Sequence, residues 1–155
     1  MSRTIDPESF GFLVTDIARL LRTDMDRRIA ASGMDLTPGE VRLLVQAARA
    51  GQVRQTVLAA RIGIEAMTVS DYVDRLEARG LIERLPDPTD RRAKLVALTD
   101  AADAILDQVV MFGKETRESA SQGIAPQDWD RVLAALKIVR CNFSDARIEA
   151  RSAAE

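Results

Sequence analysis

Apolar residues recur every three or four positions in six segments of the chain, which is the spacing of one face of an amphipathic α-helix. Two further stretches, residues 81–85 and 94–98, are short and mainly apolar, and they flank a loop of turn-forming residues. This arrangement is typical of a β-hairpin. The sequence therefore predicts a mainly α-helical protein with one small hairpin. The predicted helices run from residue 10 to about 32, from 38 to 50, from 55 to 61, from about 65 to 79, from 100 to 122 and from about 126 to 143.

The start of the second helix is specified residue by residue. The Thr37 hydroxyl can accept from a backbone amide of the first turn, Pro38 suits that turn, and Glu40 can complete a capping box. Thr99 is predicted to be the N-cap residue of the fifth helix. Within the second helix, the residues expected to face inward are Val41, Leu44, Val45 and Ala48.

The third and fourth helices are joined by Gly63, which suggests a helix-turn-helix directly ahead of the hairpin. The fourth helix has an apolar stripe that we expect to be buried, made of Val69, Tyr72, Val73 and Leu76. The side chains left on its other faces are Met67, Thr68, Ser70, Asp71 and Arg75.

The residue types present exclude several classes of function. The 155 residues include no histidine and one cysteine, Cys141, so a Cys/His zinc site, a histidine general base and an internal disulfide are all excluded. No nucleophile-base pair or cluster of metal ligands is evident, and we expect no catalytic residue, no metal and no cofactor. The N-terminal segment lacks a signal-peptide pattern, and no apolar run approaches the roughly 20 residues that span a bilayer. These features predict a cytoplasmic protein without a membrane partner.

Bulk charge does not indicate a nucleic-acid partner, because the net charge is −2. Residues 53–99 nevertheless carry a net charge of +1, and the remainder carries −3. Two adjacent arginines, Arg91 and Arg92, lie in the predicted hairpin loop. From the residues alone they are either a solvated surface pair or groups that contact an anionic partner.

The segments LAARIGIEAMTVSDYVDRLEARGLIER (58–84) and DPTDRRAKLVALTDAADAIL (87–106), in this order of elements, resemble the MarR family of winged helix-turn-helix transcriptional regulators, and most closely its SlyA branch. The resemblance implies a winged helix-turn-helix over 37–99, flanked by long N- and C-terminal dimerisation helices within 1–36 and 100–155. It also implies a homodimer that binds a pseudo-palindromic operator in double-stranded DNA as a repressor. A small aromatic or phenolic ligand would relieve this repression.

The resemblance also assigns roles to residues. The second helix of the helix-turn-helix would enter the major groove, and the tip of the hairpin, the wing, would reach the minor groove. Asp90 would hold the wing through an ion pair with Arg92 and leave Arg91 free. The ligand would lie beside Phe12, Asp16 and Arg19, although a surface salt bridge is the alternative use of Arg19. The implied DNA contacts are Met67, Thr68, Ser70, Asp71, Arg75, Arg91, Arg92 and Lys94.

Three residues depart from the family pattern. Asp71 stands where many members carry a basic residue, Arg54 where a Ser or Thr usually caps a helix, and Ala102 where Gly is frequent. An acidic side chain near phosphates weakens binding unless it accepts from a cytosine amine. The alternative function is therefore a dimeric helical interaction protein that kept the winged fold and lost DNA binding. Cys141 could sense oxidation, but its place on an apolar-striped helix favours a buried thiol.

Overall fold

The computed structural model describes the backbone of residues 6–152 and the side chains of residues 6–144. Residues 1–5, part of the stretch without a signal-peptide pattern, and residues 153–155 lie outside the described residues. The helices are α1 (Phe10–Ala31), α2 (Pro38–Ala50), α3 (Gln55–Ile62), α4 (Ala66–Ala78), α5 (Asp103–Ala120) and α6 (Pro126–Ser152). The strands are β1 (Val53–Arg54), β2 (Ile82–Pro86) and β3 (Lys94–Leu98), and a 3-10 turn spans Asp100–Ala102.

The chain divides into two compact units. The first extends to Thr116 and contains α1 to α4, the sheet and most of α5, whereas the second begins at Arg117 and contains the end of α5 and α6. The division expected from the sequence, at residues 36 and 99, stays a prediction.

The capping box at the start of α2 is confirmed. The Glu40 amide donates to Thr37 Oγ1 over 3.3 Å, and the Thr37 amide donates to Glu40 Oε2 over 2.7 Å. Thr99 is the N-cap residue of the 3-10 turn that leads into α5, but its hydroxyl makes no capping hydrogen bond and donates instead to the Gly80 carbonyl over 2.6 Å. The 3-10 turn separates Thr99 from α5, so its hydroxyl is not directed at the first amides of that helix.

The core of the first unit lies between α2, α3, α4 and the sheet. The predicted stripe of α4 is confirmed, with Tyr72 half-buried and the other three residues fully buried. On α2 the inward face includes Leu43 and Ala47, which sequence reasoning missed, while Ala48 is exposed. The rotation of α2 that buries Glu40 also buries the residues three and seven positions later. The buried core residues are Leu43, Leu44, Ala47, Val53, Leu58, Ala59, Val69, Val73, Leu76, Ile82, Val96 and Ala102.

The hairpin belongs to a three-stranded antiparallel sheet with the order β1-β3-β2. The register of β2 and β3 runs from Ile82 opposite Leu98 to Pro86 opposite Lys94. The two residues of β1 pair with the other edge of β3, which places Arg54 opposite Leu95. The sequence did not predict β1, because two residues are too few to show an alternating pattern.

In the second unit, Arg117 and Asp130 form an ion pair over 3.7 Å. Cys141 is exposed, so the prediction of a buried thiol is wrong for the single chain. The apolar stripe of α6 implied burial, but within the chain α6 keeps much of this stripe in contact with solvent. No helix in the described part of the chain is both long and apolar enough to cross a membrane.

Candidate nucleic-acid interface

The outer face of α4 presents the predicted contact residues in two different ways. Met67 is 77% exposed and Asp71 is also exposed, whereas Thr68 and Ser70 are half-buried at the sides of the helix. Val69 and Val73 are buried in the core, and Met67 and Asp71 on the opposite side of α4 are exposed. The early residues of such a helix are the ones that reach base edges when it enters a groove.

Arg75 is held by the start of α2. Its Nε donates to Glu40 Oε1 over 2.6 Å, and its guanidinium lies 5.1 Å from the centre of the Tyr72 ring. Glu40 is only 2% exposed. Burial would raise the pKa of Glu40, but hydrogen bonds from Thr37 and Arg75 outweigh it and lower that pKa. The contact therefore joins α4 to α2, and Arg75 remains half-exposed beside it.

The other end of α4 is tied to the hairpin. Arg84 of β2 donates to both Asp74 and Glu77, so the two carboxylates are compensated within the protein. Asp71, by contrast, forms no hydrogen bond or salt bridge with any residue that the structure describes. Asp71 is thus the acidic residue of α4 without a direct hydrogen bond or salt bridge among the described residues, although the charge of Arg75 acts on it.

The tip of the hairpin carries the free basic side chains. Arg91, Arg92 and Lys94 are exposed, and none of their side chains pairs with an acidic residue within 6–144. We refer to residues 87–93 as the wing loop.

The predicted ion pair between Asp90 and the Arg92 side chain is wrong. Asp90 Oδ1 instead accepts from the Arg92 backbone amide over 3.0 Å, and its Oδ2 lies 4.0 Å from Arg54 Nη2. Arg54 also makes a shorter contact with the wing loop, because its Nε donates to Asp87 Oδ2 over 2.6 Å. Sequence reasoning noted Arg54 only as a departure from the pattern. Arg54 and Asp87 are 33 residues apart, so no local sequence pattern indicates their contact. Only the pairing of β1 with β3 brings Arg54 to the loop.

The residues predicted to hold a ligand are exposed on the surface of α1, and their role in ligand binding stays a prediction. Asp16 and Arg19 form a salt bridge with each other over 3.1 Å on the surface of α1, as the alternative reading of Arg19 expected, and Phe12 is 47% exposed. A cavity of about 340 Å³ lies elsewhere in the first unit, between α1, α2, the α3–α4 turn and α5. Its apolar walls and arginines are Met25, Ile29, Val41, Val45, Ile62, Ile64, Val109, Arg22, Arg42 and Arg61.

Comparison with known proteins identifies this architecture. Residues 36–94, which include α2 to β2, match the model of the MarR family. The chain carries a MarR-family domain. The family prediction made from the sequence is therefore confirmed, whereas assignment to the SlyA branch stays a prediction.

Three solved structures show how far the MarR fold extends. Apo MarR of E. coli is 22% identical, with 89% of this chain and 98% of that chain covered at a TM-score of 0.74. A MarR-family regulator from Rhodococcus sp. RHA1 is 25% identical, with 89% and 96% covered and a TM-score of 0.71. BpsR of Bordetella bronchiseptica, whose DNA binding is regulated by 6-hydroxynicotinic acid, is 24% identical, with 90% and 98% covered and a TM-score of 0.68. The winged fold predicted from the sequence, with its flanking helices, is confirmed.

Proposed function

We propose that this MarR-family transcriptional regulator binds double-stranded DNA as a homodimer and represses the genes whose promoters it covers. The observation that carries the proposal is the contrast in charge pairing around the wing. The basic side chains of Arg91, Arg92 and Lys94 are exposed and unpaired within the described residues, whereas the neighbouring Asp87 is held by Arg54. Free basic groups at an exposed tip are available to phosphates and to the minor groove.

The two parts of the proposed DNA-binding surface, α4 and the wing loop, suit the two grooves of double-stranded DNA. A free face on α4 has the shape that the major groove admits, and base edges differ there for every base pair. An arginine at a loop tip suits the narrow minor groove of A·T-rich DNA, where negative potential is greatest. Two copies related by a twofold axis would read two half-sites, so the operator would be pseudo-palindromic.

The dimer is supported by apolar surface that the single chain leaves uncovered. Large apolar side chains in the first half of α1 are between 40% and 56% exposed. On α6, Leu136, Ile138 and Phe143 are between 48% and 65% exposed. Several large exposed apolar side chains on one helix mark an interaction site on a soluble protein. The exposed apolar residues of α1 are Phe10, Phe12, Leu13, Val14, Ile17, Leu20 and Leu21.

Selection of bound sequences from a random duplex pool tests DNA binding. We expect a pseudo-palindrome, and the affinity for it should fall steeply with salt because bound phosphates release counterions. Arg91→Ala should weaken binding, whereas Arg131→Ala, at a 79% exposed side chain on α6, should leave it unchanged. If the wild-type dimer selects no sequence and binds no duplex at low salt, the interaction-protein alternative takes its place.

The cavity of about 340 Å³ supports ligand control of this DNA binding. Its volume falls in the range of small-molecule sites, and such sites combine apolar walls with a few polar groups. Arg42 is paired with Asp26 over 2.6 Å, but Arg22 and Arg61 form no ion pair with the residues described. Apolar walls with unpaired arginines suit a small aromatic anion. Such a ligand would contact α1, α5 and the turn of the helix-turn-helix together, so its binding could shift one against the other.

A panel of aromatic carboxylates and phenols tests this part of the proposal. An effective ligand should weaken operator binding, and operator DNA should weaken ligand binding by the same factor. Arg22→Met and Arg61→Met should weaken ligand binding, and Arg131→Met should not. If ligands act equally on all three variants, the effective site lies elsewhere on the protein.

A further inference from the structure

Arg54 lies at the junction of β1 and α3, where a short polar residue would ordinarily cap the helix. Its backbone is extended and its side chain makes no capping hydrogen bond to α3. The guanidinium turns instead to the wing loop, where Nε donates to Asp87 Oδ2 over 2.6 Å and Nη2 donates to Thr89 Oγ1 over 3.4 Å. One side chain therefore spans from the first residue before the helix-turn-helix to the base of the wing.

Asp87 is the centre of the contact. Its side chain is 5% exposed, and its second oxygen, Oδ1, accepts from the Thr89 amide over 2.8 Å and from the Thr89 hydroxyl over 2.7 Å. The hydrogen bonds from Thr89 and then from Arg54 hold the pKa of Asp87 well below its usual range. Without the guanidinium, a buried carboxylate would lose its charged partner, which is strongly unfavourable.

The remaining hydrogen bonds of the wing loop are local. The Asp87 amide donates to the Ala93 carbonyl over 3.3 Å, the Ala93 amide donates to the Asp90 carbonyl over 2.9 Å, and Asp90 accepts from the Arg92 amide over 3.0 Å. These bonds shape the loop but join it to nothing outside the hairpin. Within residues 6–144, Arg54 is the side chain whose ion pairs tie the loop to the start of α3.

We propose that Arg54 is a positioning residue that fixes the direction of the wing relative to the helix-turn-helix. It would act through Asp87 and Thr89 on the path of the loop and so on where Arg91 and Arg92 meet the minor groove. The proposal rests on the DNA binding proposed above. A wing fixed in advance loses less conformational freedom on binding, which favours affinity.

Arg54→Ser is the decisive variant, because serine is a good helix cap and should preserve the fold of α3. We expect it to weaken operator binding by about 5- to 150-fold, because a wing that points in another direction loses the contacts of its arginines. In an Arg91→Ala background the same change should weaken operator binding much less, because the arginine that the wing positions is already absent. Asp87→Asn, a second variant that also serves if the first fails to fold, should reproduce these results.

Two outcomes overturn the proposal. If Arg54→Ser weakens binding equally in the wild-type and Arg91→Ala backgrounds, Arg54 contacts DNA itself. Hydrogen exchange at the Thr89 and Arg92 amides, which donate to the Asp87 and Asp90 carboxylates that Arg54 faces, gives a readout that does not need DNA. These amides should exchange faster in Arg54→Ser than in the wild type. Unchanged exchange overturns the positioning role, whereas a wild type that binds no duplex overturns only the DNA-binding function.

Discussion

Arg91 and Arg92 are adjacent in the chain, and in the structure they differ only in their backbone hydrogen bonding. The Arg92 amide donates to Asp90 over 3.0 Å and helps to shape the loop, while both side chains remain exposed. Their effects on DNA binding should therefore both arise from the side chains. This differs from the sequence-based expectation that Arg92 would serve as a partner of Asp90.

We expect Arg91→Ala to weaken operator binding by about 1–3 kcal/mol, because a minor-groove arginine is lost. The loss should be greatest where the wing lies over A·T pairs, whose narrow groove has the stronger potential. Fluorescence anisotropy with two operators that differ only in these flanking pairs measures the effect. Equal losses on both operators would mean that Arg91 binds phosphate without reading groove shape.

Asp71 should oppose DNA binding, since its carboxylate is exposed on α4 and has no hydrogen-bonding or salt-bridge partner in the described part of the chain. Asp71→Asn should therefore tighten binding to operator and to unrelated duplexes alike. Asp107→Asn, at an exposed acid of α5, is the matched control and should have little effect. A variant that instead loses preference at one base pair of each half-site would show that Asp71 accepts from a cytosine amine.

At the scale of elements, α2 and α4 are fixed against each other by a close approach at Gly39. A Cβ added there would overlap the hydroxyl and ring of Tyr72, the same ring that lies beside the Arg75 guanidinium. Gly39→Ala should lower the free energy of unfolding by about 1–3 kcal/mol, as overpacking does, and should disturb α4. Gly113→Ala is the control, since Gly113 is in α5 with open space around it, and it should raise that free energy by about 1 kcal/mol. Chemical denaturation compares the two, and an unaffected Gly39→Ala would show that Tyr72 moves aside freely.

A second link between elements joins α1 to α5 through Asp24. Its Oδ2 accepts from Arg28 Nε over 2.7 Å and from the Thr116 hydroxyl over 2.8 Å. These two hydrogen bonds lower the pKa of Asp24 from 3.8 to about 2. A lowered folded-state pKa stabilises the fold above the unfolded pKa, and this stabilisation is lost as pH falls through the folded one.

Asp24→Asn should therefore reduce stability at neutral pH, and its difference from the wild type should narrow as pH falls from 3.8 toward 2. Urea unfolding at several pH values measures this difference. Asp107→Asn should show no such convergence. A constant difference for Asp24→Asn would mean that the hydrogen bonds, and not the charge, stabilise the contact.

Local signals explain how much of the fold the sequence could predict. The capping box of Thr37 and Glu40 involves residues three apart, and the apolar stripe of α4 follows one helical period, so both could be read directly. The contact between Arg54 and Asp87 depends on strand pairing, and the contact between Glu40 and Arg75 depends on helix packing. Neither geometry leaves a local pattern, and the candidate ligand cavity was missed for the same reason.

At the scale of the whole molecule, the exposed apolar side chains of α1 and α6 predict an obligate dimer. Sedimentation should give twice the chain mass of 17.0 kDa. Ile17→Asp should break the dimer, because it places a charge in the apolar surface of α1. Met67→Asp also replaces an exposed apolar residue, but on α4, and should leave the dimer intact. A well-folded wild-type monomer at micromolar concentration would contradict this expectation.

The order of the strands also affects how copies of the protein can meet without aggregating. In the strand order β1-β3-β2 the two edge strands are β1, which has only two residues, and the longer β2. That strand carries the charged Glu83 and Arg84 and ends in Pro86, which has no amide to donate. Charges, short length and proline are features that discourage a strand of another chain from joining a sheet. The exposed hairpin should therefore not pair with strands of other copies even where the protein is concentrated. We expect association to proceed through helices and not through amyloid-like strand addition.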